Sequence, residues 1–115
     1  MDQGTETALC TAGIDLKTGI ERAAGSEALF MKLLKKFLRD ENYERFMECA
    51  ELGDLENARI YIHALKGLCA NLSMTDIYEE CVRIDFAVKG GAFPENLAAL
   101  RRNYERIAAA LQTLV

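Results

Sequence analysis

Tryptophan is absent from this chain, and proline and histidine occur once each, as Pro94 and His63. A single histidine leaves a mixed cysteine–histidine zinc site without its usual nitrogen ligands. The four cysteines, Cys10, Cys49, Cys69 and Cys81, form no Cys-x-x-Cys pair. They are therefore expected to be reduced thiols, with Cys69 and Cys81 acting as small apolar core residues. Sparse proline and the lack of any Asn-Gly or Asp-Gly pair leave no hairpin signal. No apolar run approaches the ~20 residues of a membrane span. No basic-then-apolar leader opens the chain, so a cytoplasmic protein is expected. A formal charge of −4 lacks the basic excess that nucleic-acid binding requires. There is also no glycine-rich phosphate loop and no acidic cluster suited to Mg²⁺, so no cofactor is expected on this chain.

What is present is helical periodicity over 115 residues, the length of one domain. Residues 1–13 are polar and irregular and read as a flexible or weakly helical leader to a domain over 14–115. A short helix over 15–24 stops at Gly25, and Ser26 is a good cap for the next. Leu29, Phe30, Leu33, Leu34, Phe37 and Leu38 start a stripe that Tyr43, Phe46, Met47 and Ala50 resume up to Gly53, with a bend at Asp40-Glu41-Asn42. Asp54 caps a helix whose seam is Leu55, Ala58, Ile62, Leu65, Cys69 and Leu72, in alternating steps of three and four. Ser73, with Asp76 three residues on, reads as a capping box for a helix carrying Met74, Ile77, Cys81, Ile84 and Val88. Pro94 fits the first turn of a last helix, with Leu97, Leu100, Tyr104, Ile107, Leu111 and Leu114 on its seam. Four helices over 26–52, 54–72, 74–89 and 94–114, joined by short turns, predict an all-α fold. The expected form is an antiparallel up-down four-helix bundle with a short extra N-terminal helix. The seams look internally satisfied, which predicts a monomer.

The candidate chemistry lies around His63. It sits about 100° round from the seam residue Ile62, so it should be exposed. Lys66 and Gly67 lie three and four residues on, on the same face, and Arg59 lies four residues before. Imidazole is nucleophilic near neutral pH because its ordinary pKa is ~6.5. A lysine can offset the charge of a phosphoryl group bound to it. Gly67 is the more telling residue, because a mid-helix glycine costs ~1 kcal/mol relative to alanine. It leaves a gap beside the histidine, where a partner's active site would have to close in. Taken singly, a surface histidine, a solvated lysine and a glycine that aids helix packing are all commonplace. Their shared face is what points to phosphoryl chemistry. On the following helix, Arg83 is expected opposite His63, with Asp85, Phe86 and Lys89 bordering the site. Lys89 is the candidate second cation, although a basic residue near a helix C-terminus is favourable for its own sake.

The stretch His63-Ala64-Leu65-Lys66-Gly67-Leu68-Cys69-Ala70-Asn71-Leu72 resembles the H-x-L-K-G-x-x-x-N-L-G pattern of histidine-containing phosphotransfer (HPt) domains. Gly19-Ile20-Glu21-Arg22, Phe30 to Phe37 and Gly53-Asp54 are also similar to that family, so the resemblance spans about residues 13–90. It implies that His63 is phosphorylated, that Lys66 assists the phosphoryl group and that Gly67 leaves room for a receiver domain. It further implies a phosphocarrier rather than an autonomous enzyme. The phosphoryl group would pass between response-regulator receiver domains in a relay headed by a hybrid sensor kinase, with Mg²⁺ on the receiver only. Ser73 departs from the pattern, which has glycine there. A sensor-kinase dimerisation domain fits less well, because Ala64 follows the histidine where such domains commonly carry an acidic residue. A noncatalytic adaptor that docks receivers through the His63 face is the other reading.

Overall fold

The computed structural model describes residues 1–115 and is all-helical. It contains α1 (Gln3–Thr11), α2 (Leu16–Arg22), α3 (Glu27–Phe37), α4 (Asn42–Leu52), α5 (Leu55–Asn71), α6 (Thr75–Lys89) and α7 (Ala98–Gln112). The caps expected at Ser26 and Asp54 form, and Asp15 caps α2 as well. Asp15 accepts from the Thr18 amide at 3.2 Å, Ser26 from Leu29 at 3.1 Å and Asp54 from Asn57 at 3.1 Å. Each carboxylate or hydroxyl satisfies an amide that has no partner inside its helix. Gly53 closes α4 in the left-handed region, as a C-terminal glycine does.

Three expectations need correction, and a fourth is narrowed. Of the two forms expected for the polar start, flexible or weakly helical, the structure has the helix: Asp2 caps α1 through the Thr5 amide at 2.7 Å. Leu9, on α1, is fully buried in the common core. Its low apolar content hid it, since Leu9 and Ala12 are nearly the whole of its buried face. The 26–52 helix is broken rather than bent. The amides of Leu38, Arg39 and Asp40 bond three residues back instead of four, which tightens the chain out of α-helix. The Asp40 carboxylate then takes the Asn42 amide at 3.0 Å and so begins α4.

Pro94 lies ahead of α7 rather than in its first turn. Phe93 turns inward to meet Phe46, with ring centroids 6.2 Å apart, and Asn96 accepts from the Ala98 amide at 2.7 Å. Ser73 is not a cap. It adopts φ +55°, its hydroxyl is buried without a partner, and Met74 occupies the cap position of α6. The backbone around it explains the conformation. The Asp15 amide donates to the Ser73 carbonyl and the Thr75 amide to the Gly13 carbonyl, both at 2.8 Å. The α1–α2 connection is thereby clipped to the α5–α6 turn. Asp76 lies against Gly13 and pairs with Arg106 at 3.3 Å, so it completes no capping box.

The core draws on every helix but α2, whose Leu16 and Ile20 pack against it partly buried, and Phe30, Phe46, Ile62, Leu65, Ile84, Leu100 and Ile107 are among its largest buried side chains. Tyr43 on α4 stacks on Tyr104 of α7 with centroids 3.7 Å apart, tying the last helix to the middle of the chain. Cysteines 49, 69 and 81 are buried as free thiols and Cys10 is exposed. A hydrogen bond with Cys81, together with burial, pushes the Cys69 thiol pKa up, as befits an unreactive core residue. No helix is long and apolar enough to cross a membrane.

Candidate functional site

Helix α5 forms because its apolar positions repeat at 3-4 steps behind a good cap, and it buries Ala58, Ile62, Leu65 and Cys69. Burial of these neighbours fixes the helix's rotation. His63 and Gly67 therefore face solvent, while Lys66 lies at the edge of the buried seam. Arg22 donates to the Ala70 carbonyl at 2.8 Å, at the far end of α5, where that oxygen also takes the Ser73 amide at 3.2 Å.

Helix α6 runs antiparallel to α5, since Lys66 meets Asp85 while Cys69 meets Cys81 further along. The two apolar seams interlock in this register, which brings Val88 rather than Arg83 level with His63. Arg83 instead pairs on its own helix with Glu80 at 2.8 Å.

The predicted residues fall into two groups. Lys66, Asp85 and Lys89 form one cluster. The Lys66 ammonium is 2.6 Å and the Lys89 ammonium 3.0 Å from the same Asp85 carboxylate oxygen, Oδ2. The Asp85 side chain is only 3% exposed and Lys66 25%. Burial alone would raise the Asp85 pKa, but the hydrogen bonds and charges of the two lysines outweigh it and hold the carboxyl below its ordinary value. The same hydrogen bond raises the Lys66 pKa. His63, Arg59 and Gly67 lie on the exposed face of α5 and take no part in the hydrogen bonds and ion pairs of this cluster, and Arg59 forms no ion pair.

Gly67 has a decisive surrounding. A Cβ built there meets no atom within 4 Å. Gly19 is the contrast, for a Cβ there would run into the Phe30 ring. Internal packing therefore accounts for Gly19 and not for Gly67.

The surface is apolar as well as basic. Phe86, next to Asp85, is 82% exposed, and Ile60, one turn before His63, is 61% exposed. Val82 adds to the Phe86 side of α6. Sequence reasoning missed Ile60 and Val82, although both stand off the 3-4 seams and could have been read as outward apolar residues. His63 lies outside the groove of about 540 Å³ that Leu33, Phe37, Leu68 and Leu72 help to line. An exposed helix face suits a macromolecular partner better than a small ligand, which favours concave sites. No group of three or more His, Cys, Asp or Glu side chains is gathered where it could hold a metal ion. Comparison with family models, curated proteins and solved structures finds no significant match to this chain.

Proposed function

We propose that this chain is a histidine phosphotransfer protein of a two-component relay. His63 accepts a phosphoryl group from a receiver-domain aspartate and passes it to another receiver. The observation that carries this reading is Gly67: a glycine inside α5, open on all sides within its own molecule, keeps space that only something outside the chain can use. Lying one helical turn from an exposed histidine, it clears the approach to the imidazole. The unprotonated imidazole nitrogen supplies the electron pair for the new N–P bond as the acyl phosphate P–O bond breaks, and the aspartate leaves as a carboxylate. Positioning and charge neutralisation dominate such transfers. Lys66 supplies the charge on this side, and the receiver supplies Mg²⁺.

The scaffold in this reading is an antiparallel up-down four-helix bundle, with the α3–α4 pair as one member, α5, α6 and α7 as the others, and α1 and α2 as additions. The antiparallel register of α5 and α6 supports it. The protein is a cytoplasmic monomer whose partners are receiver domains and a hybrid sensor kinase. The exposed Phe86 and Ile60 also suit an adaptor that docks receivers without transfer.

Incubation with a phosphorylated receiver domain separates the two. Acid-labile, alkali-stable label on the wild type that disappears in His63→Gln supports the carrier. Docking without label establishes the adaptor instead.

A further inference from the structure

The Lys66–Asp85–Lys89 cluster is unusual for an ion pair that serves stability alone. Asp85 lies among Cys81, Ile84 and Val88, all buried residues of α6, where an apolar side chain would extend the core. Its Oδ2 takes both ammoniums, while Oδ1 is buried with no hydrogen-bond partner. A buried carboxylate with an unsatisfied oxygen is costly, and replacing buried ion pairs with apolar residues is often neutral or stabilising. Its two lysines come from different helices, Lys66 from α5 and Lys89 from the last turn of α6. One of them lies a single turn from His63. Left to themselves, such side chains sample many rotamers, and ordering them has an entropic cost. A shared anchor meets that cost before any ligand arrives.

We infer that Asp85 is a positioning residue of the His63 site: its buried carboxylate holds the Lys66 ammonium in one place, a single helical turn along α5 from His63, while Lys89 closes the same anchor from α6. The inference rests on the carrier reading for its biological meaning, but the anchoring itself can be tested without any receiver. With its side chain only 3% exposed, Asp85 is not itself offered to a phosphoryl group or a partner. It acts through Lys66, and its effect must therefore vanish when Lys66 is removed.

The test uses phosphoramidate as a small-molecule donor to the full chain. Its P–N bond breaks as the imidazole N–P bond forms, and ammonia leaves. The rate of phosphohistidine formation is followed by ³¹P NMR for the wild type, Asp85→Asn, Lys66→Ala and the double variant, with thermal melts to show that each is folded. Each single variant is expected to slow formation about fivefold, the factor that one water-screened charge contact is worth. The double variant is expected to be no slower than Lys66→Ala. Asp85→Ser, also neutral but smaller, carries the same expectation if D85N fails to fold.

Two results overturn the inference. A neutral variant at or above the wild-type rate shows that the carboxylate merely cancels lysine charge. Multiplying effects in the double variant show a general structural role. If a phosphorylated receiver fails to label the wild type while the Asp85 effect persists with phosphoramidate, the carrier reading falls and the anchor stands. If the receiver labels His63 and D85N has no effect, the reverse holds.

Discussion

Replacing Gly67 with alanine should stabilise this protein and impair it. The magnitude follows from the open space around the residue. The added methyl group meets nothing within 4 Å, so no clash offsets the gain in helix propensity. Alanine is favoured over glycine in a helix interior by up to ~1 kcal/mol, partly because it restricts the unfolded chain. For a chain of 115 residues the unfolding entropy near the midpoint is about 0.24 kcal/mol/K. The melting temperature should therefore rise by about 2–4 °C. Thermal unfolding by circular dichroism at a fixed scan rate reads this directly. In a transfer assay with a phosphorylated receiver, the same variant should lose rate, because its methyl group occupies space the partner needs. Gly67→Gln should lose nearly all transfer, with weaker receiver affinity. A melting temperature that falls in G67A would refute the claim that the space serves nothing internal. Unchanged receiver affinity in G67Q would refute the steric account of the function.

Other outcomes follow from the same geometry. Leu9→Ala should cost about 2–4 kcal/mol in urea unfolding, as for a fully buried leucine, whereas a frayed leader would show almost nothing. Ser73→Gly should gain about 1–2 kcal/mol, because it relieves a left-handed φ of +55° and removes an unpartnered buried hydroxyl. Equal stability in that variant would mean that the turn carries no strain. The Lys66–Asp85 pair should leave a mark at both ends of the pH scale. The folded-state pKa of Asp85 is lowered, so its stabilisation is present above the ordinary carboxyl value of 3.8 and fades as pH falls through the folded pKa below it. The folded-state pKa of Lys66 is raised, so its stabilisation is present below 10.5 and fades as pH rises through the folded pKa above it. Urea titrations across pH should show both losses in the wild type and shallower ones in D85N. Parallel curves for the two proteins would contradict the coupling.

The helical seams were legible in the sequence because a helix repeats every 3.6 residues and burial selects one face. Ala58, Ile62, Leu65 and Cys69 are buried where the 3-4 steps place them, and Ile77, Cys81, Ile84 and Val88 do the same on α6. Two starts were legible for an equally local reason, since Ser26 and Asp54 each cap a helix through an amide three residues ahead. Exposure of His63 and Gly67 followed from rotation about the same helix axis.

Tertiary contacts decided the rest. Nothing local in Ser73 shows that its carbonyl receives the Asp15 amide, yet that contact helps hold the turn in a left-handed conformation and denies α6 its expected cap. Phe93 delays α7 by packing on Phe46, a residue distant in sequence. The predicted set of Lys66, Lys89, Asp85 and Arg59 could be drawn from the sequence only as neighbours. That Lys66 and Lys89 share one oxygen of a buried Asp85 while Arg59 takes no part depends on the register between α5 and α6. Periodicity within one helix fixes which face a residue occupies. Only packing between helices fixes which residue it meets.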